Sequence, residues 1–173
     1  MTYDFAGFDP LRLTDKEREI LSELRRLSDE CGCEYGCIVY ESGEYEFFTD
    51  NDENQVTPPC FVDNTATLYH SHTNETLLSS KDFKWLLNEN VSKVVSISCN
   101  NYVQVAYIGN GNVLLESEFD DTVSSLNAEI DEEVLYNSQY DDYSEKELQL
   151  QAFYEQAYRI PRHFKWTTEG GKL

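Results

Sequence analysis

At 173 residues, with 33 acidic against 13 basic side chains, the chain carries a formal charge of −20 at neutral pH. A surface of that sign repels phosphate backbones and excludes nucleic acid as a natural ligand. No apolar run approaches the length of a membrane-spanning helix. The opening Met1–Asp9 also lacks the basic-then-apolar order of a secretory signal. Synthesis as a cytoplasmic protein is the expectation, with carriage in a virion or export by a specialised machine left open.

In chain order, Thr14 and Glu17 have the spacing of a capping box, and Ile20, Leu21, Leu24 and Leu27 recur at helical intervals. This predicts a helix over residues 15–29, stopped near Gly32. Five cysteines, Cys31, Cys33, Cys37, Cys60 and Cys99, form an odd set without a signal peptide, which predicts free, largely buried thiols. They also lack the paired C-x2-C spacing of a thiolate zinc site. Tyr35–Tyr40 and Tyr45–Thr49 read as a hairpin around Glu41–Glu44. Residues 50–63 read as a loop around Pro58-Pro59.

Ala66–His70 is a short β-prone run, followed by a loop over 73–79. A helix capped by Ser79 or Ser80 then runs to about Asn90. Lys93–Ser98 and Tyr102–Ile108 are predicted strands joined at Asn100-Asn101. Gly109–Asn112 is a predicted turn before a short strand at Val113-Leu-Leu. Helices follow at 119–134 and 144–158, the second with a Ser144/Glu147 capping box and an end at Pro161. The tail after Pro161 is expected to fray. These elements predict one α+β domain spanning 1–173: a core over about 14–115, a helical extension over about 116–160 and a tail over 161–173. Its mixed or mostly antiparallel sheet would be covered by helices.

Alternate residues of a strand project to one face, so His70 and His72 present two imidazoles side by side. Two such ligands suit tetrahedral zinc. Asp82, in the first turn of the next helix, is the best third ligand, and the fourth position is left for water. A carboxylate is then needed beside that water, and Glu34 stands where the first helix gives way to the first core strand. Each piece has an ordinary reading as well. Paired histidines are commonly structural, Ser79 and Asp82 fit a helix cap, and Glu34 is one acid among many, with Glu30, Glu41 and Glu44 nearby.

The segment His70-Ser-His72 … Ser79-Ser80-Lys81-Asp82 resembles the signature of the JAMM (JAB/MPN) metalloprotease superfamily. Glu34-Tyr-Gly-Cys-Ile-Val-Tyr40 is similar to the strand opened by that family's catalytic glutamate. Residues 83–108 resemble the helix and hairpin that follow. The small bacterial and phage JAB-like domains of phage head proteins and polymorphic toxins are the nearest in style.

The resemblance covers about residues 14–115. It implies a JAB/MPN-like (cytidine deaminase-like) mixed β-sheet flanked by helices, with extra C-terminal helices. It further implies Zn2+ on His70, His72 and Asp82, Glu34 as the base, and Ser79 as a stabiliser of the oxyanion. Two departures stand out. Thr73 replaces the usual proline after the second histidine, and the interval from His72 to Ser79 is one residue short.

The function implied is a zinc peptidase or isopeptidase acting on a protein or peptide substrate, basic or lysine-linked. The alternatives are a JAB-like metal-binding module without turnover and an unrelated acidic interaction protein whose H-x-H is incidental.

Overall fold

The computed structural model describes residues 3–59, 65–108, 114–139 and 142–173. Helix α1 (Asp15–Cys31) starts where the sequence places it. The Thr14 hydroxyl accepts from the Glu17 N–H at 3.2 Å, and the Glu17 carboxylate accepts from the Thr14 N–H at 2.8 Å. Two donors that a helix end leaves unpaired are thereby satisfied. Gly32 stops it in the left-handed conformation, at φ 71°.

The remaining elements are β1 (Asp9–Pro10), β2 (Gly36–Tyr40), β3 (Tyr45–Phe48), β4 (Ala66–Ser71) and α2 (Ser80–Lys84). A 3-10 turn at Trp85–Leu87 extends α2, and β5 (Val91–Ile97), β6 (Tyr102–Tyr107), α3 (Glu116–Ser138), α4 (Glu145–His163) and β7 (Thr167–Lys172) follow. The turn expected at Gly109–Asn112 and the start of the strand expected at Val113 lie outside the described residues.

The strands form one seven-stranded sheet in the order β1-β7-β6-β5-β4-β2-β3. β4 pairs parallel with β5 and β1 parallel with β7; every other pairing is antiparallel. Strand alternation separates two cores. On one face Cys37, Tyr69, Val95, Ile97, Val103 and Val105 pack under Ile20, Leu21 and Leu24 of α1. On the other, Ile38, Ala66, Leu68, Val94 and Ala106 meet Leu78, Phe83 and Leu86, with Phe119, Val123, Ile160 and Trp166 outside them. This α+β arrangement, a mixed sheet flanked by helices with further helices toward the C-terminus, matches a JAB/MPN-like architecture. No helix among the described residues is long and apolar enough to cross a membrane.

Three expectations are corrected. Residues 167–172 do not fray: they form β7, inserted between β6 and β1. Its glycines are dictated from afar. A Cβ on Gly170 would fall 2.4 Å from the Phe5 ring, and one on Gly171 3.2 Å from Leu11 Cβ. The N-terminal segment packs against this strand, closing off Gly170 and crowding Gly171.

Pro161 does not end α4 either, but lies inside its last turn. Proline lacks the N–H that would bond the carbonyl four residues back. That carbonyl belongs to Ala157, and buried Gln104 supplies the missing donor from Nε2 at 2.9 Å. The same side chain accepts from the Leu78 N–H at 3.0 Å and donates to Thr168 Oγ1 at 3.2 Å. One glutamine on β6 therefore ties the loop before α2, the end of α4 and β7 together.

Finally, Cys31 and Cys33 are joined as a disulfide across Gly32, so they are not free thiols. Cys37 and Cys99 are free, Cys37 buried and Cys99 partly so, and Cys60 lies outside the described residues. Gly32, in its left-handed turn, brings the two flanking cysteines to a Cα separation of 5.3 Å, within bridging distance.

Glu17 has a second role besides capping. Its carboxylate pairs with Lys93 of β5 and accepts from the Tyr69 hydroxyl at 3.2 Å. Burial alone would raise its pKa, but the Lys93 and Thr14 hydrogen bonds and the Lys93 charge outweigh it and hold Glu17 below its ordinary 4.5. A depressed carboxyl contributes stability above its unfolded pKa and loses it as pH falls through the folded value. Glu17→Gln is therefore expected to cost about 1 kcal/mol at pH 7. Urea midpoints of the two proteins in chelator should converge as pH drops below 4.5.

Candidate metal centre

The antiparallel register places Gly36 of β2 opposite His70 of β4. Beyond it, the Ser71 N–H donates to the Tyr35 carbonyl at 2.8 Å. Continuing one step sets Glu34 across from His72. Glu34, Gly36, His70 and His72 then share the face that packs on α2, whereas Tyr69 lies in the core beneath α1. Gly36 is glycine for a local reason: a Cβ there would lie 2.2 Å from the Phe48 ring, which covers it from β3.

His70 and His72 converge through their Nε2 atoms, 2.8 Å apart. Asp82 completes the group, with Oδ1 3.2 Å from His70 Nε2 and Oδ2 3.6 Å from His72 Nε2, and one ligand atom from each residue lies within 4.8 Å of the other two. All three residues are buried. A tetrahedral zinc with bonds of about 2.0–2.1 Å sets its ligand atoms about 3.3 Å apart. The His70 Nε2–Asp82 Oδ1 separation lies close to that value, and the two imidazoles need to part by about half an ångström. The donor set fits the ion. Among the described residues no other group of three metal-ligating side chains gathers in this way.

The surroundings hold these groups in place. His72 Nδ1 donates to the Thr76 carbonyl at 2.9 Å, with the Thr76 hydroxyl 3.0 Å away. That bond commits Nδ1 to carrying the proton and turns Nε2 to the centre. Arg25 of α1, buried, donates to the His72 carbonyl at 2.9 Å and pairs with Asp29. The Trp85 ring lies edge-on to His70, centroids 5.3 Å apart.

Asp82 is held by the cap of α2: Ser79 N–H and Oγ each donate to Oδ2 at 2.7 Å. The capping and cluster readings of Asp82 are thus both realised, one oxygen serving the helix end and the other facing His70. Burial would raise its pKa, yet the two imidazoles hold the carboxyl well below its usual range. Burial likewise pulls His72 down, but the Asp82 hydrogen bond and charge, with Glu34 behind them, push it up to about 9.

Glu34 is buried and lines the same cleft as His72, Ser79, Asp82 and Trp85, a space of about 540 Å³. Its backbone is clamped. The Glu34 N–H donates to the Asp52 carbonyl at 2.8 Å, and the Thr49 hydroxyl donates to the Glu34 carbonyl at 2.8 Å. Burial raises its pKa, assisted by Asp82 and Asp52 and opposed by the two histidines. A larger cleft of about 670 Å³ opens between α3 and α4, lined by Glu133, Tyr143 and Leu150, without an imidazole or thiol on its walls. The candidate metal ligands His72 and Asp82 line the smaller one.

All five side chains singled out from the sequence, Glu34, His70, His72, Ser79 and Asp82, meet in or beside that cleft. Arg25, Thr76 and Trp85 were not anticipated. Arg25 had a signal: an arginine four residues after Leu21, on the apolar stripe of α1, needs a buried partner. Thr76 acts through its carbonyl, which any residue type would offer.

The His70–His72–Asp82 cluster resembles the metal-binding triad of the JAMM/MPN metalloproteases. Comparison with family models, with curated proteins and with solved structures finds no match to this chain.

Gly36→Ala tests the packing beside His70. The added methyl must displace the Phe48 ring, and a stability loss of about 1–3 kcal/mol is expected. A urea midpoint equal to wild type would show that the ring swings away freely.

Proposed function

We propose that this protein is a zinc-dependent peptidase or isopeptidase that cleaves an amide bond in a protein or peptide substrate. The observation that carries the reading is the convergence of two Nε2 atoms and one carboxylate in a cleft that a second buried carboxylate, Glu34, also lines. His70, His72 and Asp82 would hold the ion, three protein ligands leaving one position open. Zinc bound there supplies a water of lowered pKa and polarises the scissile carbonyl.

The rest is done by the chain. Glu34, its pKa raised by burial, takes the proton of the attacking water and hands it to the leaving amine. Ser79 offers its hydroxyl to the developing oxyanion. It can do so without releasing Asp82, because the Ser79 N–H keeps its own bond to Oδ2. The acidic surface favours a basic or lysine-linked substrate, since a field of −20 attracts cations.

The test has two parts. Purified wild-type protein should hold one zinc per chain. At a free zinc concentration a hundredfold above Kd, stability should rise by about 2.7 kcal/mol. The His70→Ala, His72→Ala double variant should show neither effect. Glu34→Gln should keep the zinc while losing at least about 100-fold in hydrolysis of lysine-linked and linear peptide reporters. Hydrolysis undiminished in Glu34→Gln contradicts the assignment of the base. Zinc-loaded wild type inert toward both reporters points instead to a metal-binding module without turnover.

A further inference from the structure

The two histidines are supported unequally. His72 Nδ1 has the Thr76 carbonyl, whereas His70 Nδ1, fully buried, has no hydrogen-bond partner among the described residues. A histidine that ligates through Nε2 must carry its proton on Nδ1, and the partner of that proton fixes both tautomer and ring orientation. Trp85 lies against the His70 ring from the α2 side. An acceptor must come from within the sheet layer.

The register identifies one. His70 of β4 is paired with Ser96 of β5 in the parallel ladder, and cross-strand partners project to the same face. Ser96 is fully buried, and its hydroxyl is also without a partner. Its other neighbour, Gln104, is paired with it across β6 and has already committed its carbonyl to Leu78 and its amide to Ala157 and Thr168. The two orphaned groups therefore stand beside each other, one needing an acceptor and the other able to accept. A serine rotamer change about χ1, or one bridging water, would join them.

We infer that Ser96 is a positioning residue of the metal centre: its hydroxyl accepts from His70 Nδ1–H and locks His70 in the tautomer that turns Nε2 to the ion. The inference rests on the metal-centre reading above. It gives a reason for a hydroxyl at this interior site beside Val94, where packing alone would favour an apolar side chain.

The full-length chain, stripped of metal, is titrated with zinc against a chelating competitor as wild type, Ser96→Ala and Ser96→Thr. Ser96→Ala should bind zinc about 10- to 100-fold more weakly, while Ser96→Thr, which keeps the hydroxyl, should restore the affinity. In the zinc-loaded wild type, nitrogen-edited NMR should show a protected His70 Nδ1–H signal that is lost or exchanges faster in Ser96→Ala. In chelator, Ser96→Ala should lower the urea midpoint, because buried His70 Nδ1–H loses its acceptor, and Ser96→Thr should restore it. Unchanged zinc affinity or an unchanged His70 signal in Ser96→Ala overturns the inference. Wild type that takes up no zinc overturns the metal-centre reading and this inference together, and is distinguished by failing before any variant is compared.

Discussion

β4 lies between β2 and β5, hydrogen-bonded antiparallel to one and parallel to the other. Side chains alternate along a strand, so a slip of one residue would turn His70 and His72 to the α1 face and bring Tyr69 and Ser71 in their place. The apolar pattern on both faces opposes that slip. Leu68 must stay with Phe83 and Leu86, and Tyr69 with Leu21 and Leu24. The hydrophobic cores thus hold the register, and the register holds the imidazoles. The same pairing brings Glu34 level with His72 and leaves Gly36 beside His70, where the Phe48 ring fills the space.

Electrostatics requires the groups of this centre to pair with one another. Asp82 and the two histidines are taken out of water together, and ionised groups in that position recover their desolvation only with good geometry and satisfied hydrogen bonds. Most are satisfied: Asp82 by Ser79, His72 by Thr76, and the His72 carbonyl by Arg25. Glu34 differs, because burial raises its pKa with no cation beside it to lower it apart from the histidines themselves. A buried carboxyl with a raised pKa that lines a cleft is a candidate functional group.

Helix capping was legible in the sequence because its partners are neighbours. The Thr14/Glu17, Ser79/Asp82 and Ser144/Glu147 boxes all form, because a capping box needs only three residues and a helix start. His70 and His72 were legible because strand periodicity alone puts them on one face. Asp82 could be proposed because a cap residue at the start of α2 is carried back over the end of β4.

Most of what escaped depends on partners far along the chain; the Cys31–Cys33 bridge is a local exception. Thr167–Lys172 has the composition of a loose tail, and its glycines make sense only once Phe5 and Leu11 lie over them. Pro161 looked like a helix end until Gln104, on a different strand, satisfied the carbonyl it orphans. Cys31 and Cys33 read as free thiols from an odd count, whereas the left-handed turn at Gly32 folds one onto the other.

The central claim is that His70, His72 and Asp82 hold one zinc, with Glu34 facing its open position. Anomalous diffraction at the zinc edge, from crystals grown with zinc, tests this most directly. One strong peak is expected about 2.0–2.1 Å from both Nε2 atoms and at a similar distance from an Asp82 oxygen. The Glu34 carboxylate should then lie within hydrogen-bonding distance of a water on the ion. No peak at this cluster, with zinc found only on surface carboxylates, would contradict it.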